Sequence, residues 1–265
     1  MQTRLSTRLK SHFLIPFLLG LFLAACSPGE KATQNLENPA DVLAAMKAKY
    51  HGSWYETLTF VQTSIEYKPD GASDTTTWYE AMALPGKLRI DIGGPNTGDA
   101  LIFRNDSIYV YNGGNLISSR VTYHPLLLLG FDAYFLETED LMARLDSINF
   151  DLSVMHESTW QERPVYVIGA SEGDSLASQF WIDKERLVFV RMIQKVGPTG
   201  EVLQEVQFNR YESVGDGWVA PEVLFFTNGK LSFKEIYNDV TAGVEFDARL
   251  FSPQNWASAI HWYEH

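Results

Sequence analysis

The residue best placed for covalent chemistry is Cys26, the only cysteine in the chain. Its thiol can be alkylated or acylated, and a single cysteine has no partner for an intramolecular disulfide. Cys26 directly follows Ala24-Ala25, at the end of an apolar run over 13–23 and after a basic segment with Arg4 and Arg8. A basic segment, an apolar segment and small residues in this order are typical of a secretory signal peptide.

The segment Leu23-Ala24-Ala25-Cys26 matches the bacterial lipobox. The match implies that a diacylglyceryl group is attached to the Cys26 thiol, that the leader 1–25 is removed, and that the new N-terminus is acylated, with palmitate as the expected acyl group. Several acyl chains anchor a protein stably. A plain secretory signal with an incidental cysteine is one alternative. A transmembrane helix is the other, although the run is short of the ~20 residues that a bilayer needs.

The residues after the lipobox predict the membrane in which the protein is anchored. Ser27 stands where an Asp would retain a lipoprotein in the inner membrane under the enterobacterial sorting rule. We therefore expect a lipid-anchored protein at the periplasmic face of the outer membrane. Residues 26–38 are mostly polar and include Pro28 and Gly29, which predicts a flexible tether.

The other candidate motifs do not complete a catalytic or metal site. His156-Glu157 lacks the second His of the H-E-x-x-H zinc motif. His261 and His265 could share a helical face, but no third ligand accompanies them, which favours a solvated tail. The glycine-rich stretch 93–98 is not followed by the Gly-Lys-Ser/Thr of a phosphate-binding loop. The sequence thus predicts no enzyme, no catalytic residues, no metal and no cofactor.

The composition narrows the class of protein. The chain has 265 residues, of which 45% are hydrophobic and 20% charged, which excludes a disordered chain or a coiled-coil rod. Its net charge of −12 argues against binding to nucleic acid, which needs clustered positive charge. The aromatic content of 13% fits either a packed barrel core or the lining of an apolar cavity.

A helix is predicted to begin at Asn38. Asn is a favoured N-cap, Pro39 suits the first helical position, and Asp41 complements the helix dipole. The apolar residues that follow are spaced for one helical face, namely Val42, Leu43, Met46 and Tyr50.

The domain continues with segments typical of antiparallel strands. They are rich in β-branched and aromatic residues and are separated by turn sequences such as Asn228-Gly229. The predicted strands are 54–67, 75–83, 87–92, 100–103, 107–111, 116–121, 148–156, 163–171, 179–183, 187–196, 201–213, 219–227 and 230–240. In 87–92 the apolar residues alternate with Lys87, Arg89 and Asp91, which predicts one buried and one solvated face.

The strand pattern stops at Pro125. Residues 126–136 are nearly all apolar, and Leu141, Met142 and Leu145 continue at helical spacing. This pattern predicts one or two helices that need cover on most sides. Periodicity leaves open whether they are ordinary core helices or a plug over a cavity.

The order of these elements resembles the bacterial lipoprotein carriers of the LolA/LolB type. The resemblance spans about 39–253 and is carried by three stretches of similar residue types. The first is 81–90, followed by 100–103 and 108–112, and the second is 124–130. The third consists of 180–183, 187–188, 211, 219–221, 246–247 and 250–253.

The resemblance implies a mainly β (α+β) fold, an unclosed antiparallel β-barrel with an N-terminal helix and helices that plug the concave face. We expect it to form a single domain over 39–265. It also implies a cavity of apolar side chains that shelters acyl chains. The candidates for its lining are Leu88, Ile90, Ile92, Ile102, Phe103, Leu126, Leu127, Leu129, Phe131 and Phe135.

One position departs from the pattern of the soluble carriers. They tend to carry a basic residue directly before the Pro of the first stretch, which helps to latch the helices, whereas Leu84 stands there in this chain. Together with the lipobox, this departure favours a membrane-bound acceptor over a soluble shuttle.

The sequence therefore predicts a non-enzymatic, lipid-anchored outer-membrane lipoprotein that binds lipid or acyl chains, with a role in lipoprotein sorting or envelope maintenance. Its expected partners are a lipid or an acylated lipoprotein and the membrane, but not nucleic acid, and the protein is expected to be a monomer. The alternative is a non-catalytic scaffold or stress sensor, with a fully packed barrel that recruits an envelope protein.

Overall fold

The computed structural model describes residues 36–197 and 200–264. The predicted leader, Cys26 and nearly all of the predicted tether lie outside the described residues. The helices are α1 (Pro39–Tyr50), α2 (Pro125–Gly130) and α3 (Thr138–Ser147). Short 3-10 helices span Asp132–Tyr134, Trp256–Ser258 and Trp262–Glu264.

Most of the strands are joined by short turns, and helices α2 and α3 lie between the sixth and the seventh strand. They are β1 (Thr57–Tyr67), β2 (Ser73–Ala83), β3 (Lys87–Ile92), β4 (Ala100–Arg104), β5 (Ser107–Asn112), β6 (Asn115–Val121), β7 (Met155–Trp160), β8 (Arg163–Ile168), β9 (Gln179–Asp183), β10 (Phe189–Val196), β11 (Val202–Asn209), β12 (Glu212–Val214), β13 (Gly217–Val219), β14 (Glu222–Thr227) and β15 (Lys230–Ala242).

A single 13-stranded antiparallel sheet dominates the structure. Its order is β6-β5-β4-β3-β2-β1-β15-β14-β11-β10-β9-β8-β7, with β12 and β13 forming a separate ribbon. The pairing of β1 with β15 joins the two halves of the meander at the centre of the sheet. In the described part of the chain, the edge strands β6 and β7 do not pair with each other. The prediction of a mainly β fold with an unclosed antiparallel sheet is therefore confirmed.

Helix α1 begins where the sequence predicts. The side chain of Asn38 accepts a hydrogen bond from the Asp41 N–H at 3.0 Å, which satisfies one of the free donors of the first turn. The predicted apolar face is buried, and its members are Val42, Leu43, Met46 and Tyr50.

The helices cover one face of the sheet. Apolar side chains of α1, α2 and α3 share one buried cluster with residues from strands as far apart in the sheet as β3 and β8. A flat sheet could not bring such distant strands to one cluster, so the sheet curls around the helices. We call this face concave, and we call residues 125–147, which contain α2 and α3, the lid.

The strand predicted at 148–156 begins later, at Met155. Ile148 closes the end of α3, and Asn149 follows with a φ of 70°, a left-handed conformation that Asn tolerates. Phe150 is buried in the main core, although it belongs to no strand. The apolar residues between Ile148 and Met155 thus belong to a buried connection between the lid and the sheet, and not to a strand.

The prediction that β3 has one solvated face is wrong. Arg89 is 2% exposed and Asp91 is 1% exposed, so only Lys87 of the three polar residues reaches solvent. The reason is that residues 244–264, here called the C-terminal cover, pack across the convex face of β3 and β4. Leu250 and Trp256 of this cover are themselves buried.

The buried charges of β3 are paired with each other. Arg89 donates from Nε and Nη2 to the two carboxylate oxygens of Asp91, both at 2.8 Å. Its Nη1 donates to the Trp256 carbonyl oxygen at 3.3 Å, and the guanidinium lies 4.9 Å from the centre of the Trp256 ring. Bidentate pairing of this kind compensates the cost of removing both charges from water.

The expectation of a solvated C-terminal tail is also wrong for His261. This side chain is 4% exposed, and its Nε2 lies 3.0 Å from Oδ2 of Asp91. The C-terminal cover is therefore fixed to the sheet by a buried Arg–Asp–His network.

Asp91→Asn tests this network. The substitution leaves the Arg89 guanidinium buried without its counter-charge, and we expect it to lower the free energy of unfolding by about 3–5 kcal/mol. Urea denaturation measures the loss. The control is Lys68→Ala, which removes the exposed pair between Lys68 and Asp74 and should change stability little. Equal losses in the two variants would contradict the assignment of the network as a stabilising element.

Candidate functional site

A cavity of about 200 Å³ lies between the lid and the concave face of the sheet. Most of its wall is apolar, and many of the side chains are aromatic. The residues around it are Trp78, Glu80, Met82, Leu88, Ile90, Leu101, Phe103, His124, Leu126, Leu127, Phe131, Phe208, Phe225, Phe233, Glu235 and Tyr237. They come from β2, β3, β4, β11, β14, β15 and the start of the lid.

Several of the residues proposed from the sequence lie on this wall. Leu88, Ile90 and Phe103 contribute from the sheet, and Leu126, Leu127 and Phe131 contribute from the lid. Whether these side chains contact a ligand remains a prediction.

The other proposed residues do not line the cavity. Ile102 packs with Trp256 on the convex face, because Phe103 faces the cavity and neighbouring strand residues point to opposite sides. Leu129 is fully buried in the core, where it has no free surface. Ile92 and Phe135 are half-buried and pack against the main core.

Sequence reasoning missed the wall supplied by β2 and β15. Trp78, Glu80 and Met82 alternate along β2, and Phe233, Glu235 and Tyr237 alternate along β15. These period-two patterns were visible in the sequence. β2 lies beside β3 through a short turn, but placing β15 near them required the pairing of β1 with β15, which joins residues such as Val61 and Asn238, 177 positions apart.

Polar side chains interrupt the apolar wall at a few points. Tyr237 donates from its hydroxyl to Oε2 of Glu235 at 2.9 Å. Burial raises the pKa of Glu235 to about 7. Burial, with repulsion from Glu235, raises the pKa of Glu80 well above its ordinary value. Removal from water disfavours the charged form of an acid, so both carboxyls hold their protons more tightly than in solution.

The lid begins at a histidine cap. Burial lowers the pKa of His124 to about 4, so its ring is neutral at neutral pH. The neutral ring can accept, and Nδ1 takes a hydrogen bond from the Leu127 N–H at 3.2 Å. His124 also packs edge-on against Phe103, with the ring centres 4.8 Å apart.

Polar contacts also hold the lid to two turns of the sheet. Asp132 accepts a hydrogen bond from the Gly86 N–H at 2.8 Å. Gly86 lies two residues after Leu84, the position at which the resemblance leads one to expect a basic residue. Arg144 of α3 pairs with Asp106 of the β4–β5 turn, with Nη1 and Oδ1 2.8 Å apart. The turn after Leu84 is thus linked to the lid by a carboxyl group that belongs to the lid itself.

A second, more polar cavity of about 330 Å³ lies farther along the sheet, beside β8 to β11. Its lining includes Arg163, Arg186 and Arg210, of which Arg163 is paired with Asp183. Phe208 lines both cavities. The concave face therefore offers an apolar compartment under the lid and a basic one next to it.

The described residues offer neither a metal site nor a membrane-spanning helix. Over residues 36–197 and 200–264, no three His, Cys, Asp or Glu side chains are grouped so that they could hold a metal ion. The same part of the chain contains no helix of the length and hydrophobicity needed to cross a membrane.

No known family model matches the chain, and neither does any curated protein sequence. Solved structures do match it. A DUF1329 family protein from Desulfovibrio piger superposes with a TM-score of 0.56 at 14% identity, covering 81% of this chain and 95% of that one. A LolA superfamily protein from Nitrosomonas europaea gives a TM-score of 0.54 at 10% identity, covering 82% and 98%.

A third match is a domain from Vibrio parahaemolyticus described as an outer membrane lipoprotein-sorting protein. It has a TM-score of 0.53 and 15% identity, and covers 82% of this chain and 97% of that one. The unclosed sheet, with the lid and an apolar cavity on its concave face, forms a half-barrel. The chain has a LolA-like fold, and at these identities the likeness concerns the fold alone.

The lid contact of Asp132 predicts a pH dependence of stability. Burial raises the pKa of Asp132 from its ordinary value of 3.8 to about 7. Between these values the folded chain binds a proton that the unfolded chain does not, so this group lowers stability as the pH rises. Asp132→Asn keeps an acceptor for the Gly86 N–H and removes the titration.

We expect Asp132→Asn to gain stability relative to the wild type as the pH rises from 4 to 7.5. Urea denaturation of both proteins at each pH gives the difference, in which the other titrating groups cancel. A difference that stays constant over this range would show that Asp132 titrates at its ordinary pKa.

Proposed function

We propose that this chain is a non-enzymatic lipoprotein that holds a lipid or acyl chain in the cavity under its lid, with a role in lipoprotein sorting or maintenance of the envelope. The observation that carries the proposal is the cavity itself, whose wall is mostly hydrocarbon and aromatic surface. Apolar pockets with a few polar groups are the usual form of a small-molecule site.

The energetics favour a hydrocarbon ligand. Each buried methylene contributes about 0.8 kcal/mol, so a chain of a dozen carbons gains on the order of 8–10 kcal/mol before the costs of association. No covalent step is needed for such binding. The LolA-like fold supports the same proposal, because one structural neighbour is described as a lipoprotein-sorting protein.

The size of the cavity limits the ligand. Its volume of about 200 Å³ is below the ~300–1,000 Å³ typical of small-molecule pockets. In the state described, the cavity suits one hydrocarbon chain better than a lipid with several chains. A larger cargo would require the lid to move away from the sheet.

The lipobox cysteine completes the proposal. Acylation at Cys26 would hold the half-barrel at the periplasmic face of the outer membrane, at the end of the predicted tether. A tethered protein cannot cross the periplasm freely. The proposed role is therefore that of a membrane-bound acceptor or holder of lipid.

The edge strand β6 favours a second candidate function. It exposes Leu116 (54%), Ile117 (63%) and Val121 (80%), and all of its residues are solvent-exposed. An exposed apolar edge strand can pair with a partner chain. On this alternative, the protein is a scaffold that recruits an envelope protein.

Native mass spectrometry of the full-length Cys26→Ala chain, purified without detergent, tests the carrier function. We expect a bound mass that matches a lipid or an acylated species. Leu126→Trp places a larger side chain on the cavity wall and should reduce the bound fraction severalfold. Leu116→Trp, on the outer edge strand, is the matched control and should leave it unchanged. An unliganded mass in every case, also after incubation with lipid, would favour the scaffold.

Cys26→Ala in the otherwise intact chain tests the anchor separately. The substitution removes the only thiol, so we expect the protein to lose its stable attachment to the outer membrane. Fractionation and alkaline carbonate extraction measure this attachment, with Ser27→Ala as the neighbouring control. If the Cys26→Ala protein stays as firmly bound as the control, the lipid anchor at this residue is refuted.

A further inference from the structure

A buried carboxyl group lines the cavity. Glu80 lies on the wall and is 5% exposed. Within the described residues, its side chain makes no hydrogen bond and no ion pair. Buried polar groups in proteins are almost always satisfied. The carboxyl oxygens of Glu80 are not among the fully enclosed atoms without a partner, so they keep a small accessible surface at the cavity wall. Because Glu80 lines the cavity, a ligand bound there could supply the missing partner.

A second carboxyl stands in the same cavity. Glu235 from β15 is less deeply buried, and it is close enough to Glu80 to raise the pKa of that group by repulsion. The Tyr237 hydroxyl donates to its Oε2, and the Gln62 side chain interacts with the same carboxyl group, so Glu235 is already partly satisfied and Glu80 is the acid that lacks a partner.

The charges on the wall of the apolar cavity favour a positively charged ligand, whereas the arginines lie in the neighbouring polar cavity. None of the described residues on the cavity wall is a lysine or an arginine. The only basic side chain there, His124, is neutral because burial lowers its pKa to about 4. Without a cation from the protein, the two carboxyls must either stay protonated or receive a cation from outside.

We propose that the cavity recognises an amphiphile whose hydrocarbon chain lies against the apolar wall and whose ammonium group is bound by Glu80 and Glu235. The inference rests on the proposed function, because it names the chemical class of the ligand that the cavity holds. An ammonium group donates up to three hydrogen bonds, which suits the Glu80 carboxylate and the neighbouring, partly satisfied Glu235 carboxylate. An anionic head group would meet two acids and no base at the same place.

Competition for a neutral fluorescent probe tests the inference on the full-length Cys26→Ala chain at pH 8. The probe is N-phenyl-1-naphthylamine, and the competitors are decylammonium, decanol, decanoate and propylammonium. Hydrogen bonds to charged groups contribute about 1.5–3 kcal/mol, so we expect decylammonium to displace the probe at a concentration on the order of 10- to 100-fold lower than decanol.

Two isosteric variants assign the preference to the carboxyl groups. The double variant Glu80→Gln/Glu235→Gln should need nearly the same concentration of decanol and of decylammonium to displace the probe, so the ratio of these two concentrations should be close to one. The single variant Glu235→Gln, at the more exposed position, should lower this ratio in part. It keeps the test informative if the double variant does not fold. Glu66→Gln removes an exposed acid of β1 outside the cavity and should keep the wild-type ratio.

The outcomes separate this inference from the proposed function. Equal displacement by decylammonium and decanol, or stronger displacement by decanoate, would overturn cation recognition and leave acyl-chain binding intact. Displacement by propylammonium as strong as by decylammonium would also overturn it, because the site would then take free amines without a chain. If no ten-carbon competitor displaces the probe and the probe itself does not bind, the proposed function fails.

Discussion

The main constraint on this fold is that a wide, unclosed sheet must bury the apolar side chains of its concave face. An antiparallel sheet of this width must curl, and its inward side chains then leave a central space that they cannot fill alone. Helix α1 and the lid fill most of it and share one core with strands on both sides of β1 and β15. The apolar cavity is the part of this space that remains between the lid and the aromatic side chains of the sheet.

The convex face is covered by a different kind of interaction. Over β3 the C-terminal cover meets a buried ion pair, and Trp256 and His261 surround Arg89 and Asp91. Charged pairs contribute little net stability when compared with a well-packed apolar core, but they tolerate only one arrangement of their partners. The cover is therefore fixed in register over the sheet, which leaves the concave face as the one where the lid lies against the strands.

The sequence predicts local features well and long-range ones poorly. The cap at Asn38, the apolar face of α1 and the hairpin at Asn228-Gly229 follow from neighbouring residues, and the structure contains them. The charged alternation of β3 was misleading because the segment that buries Arg89 lies more than 160 residues away. Ile102 was assigned to the wrong face for a related reason, since alternation defines two faces and only tertiary packing decides which one is concave.

The apolar and polar contacts that hold the lid on the sheet determine how easily the proposed cargo could enter and leave. Burying a leucine side chain contributes about 1.5–3 kcal/mol, similar to two to four methylenes of a hydrocarbon chain. A chain that replaces Leu126 or Leu127 against the wall would therefore exchange one apolar contact for another, at little net cost. The Arg144–Asp106 pair is partly exposed, so water can replace it when the lid moves, whereas the Asp132–Gly86 contact is buried. A holder built in this way would bind its proposed cargo with modest net affinity, which suits a protein that must also release it.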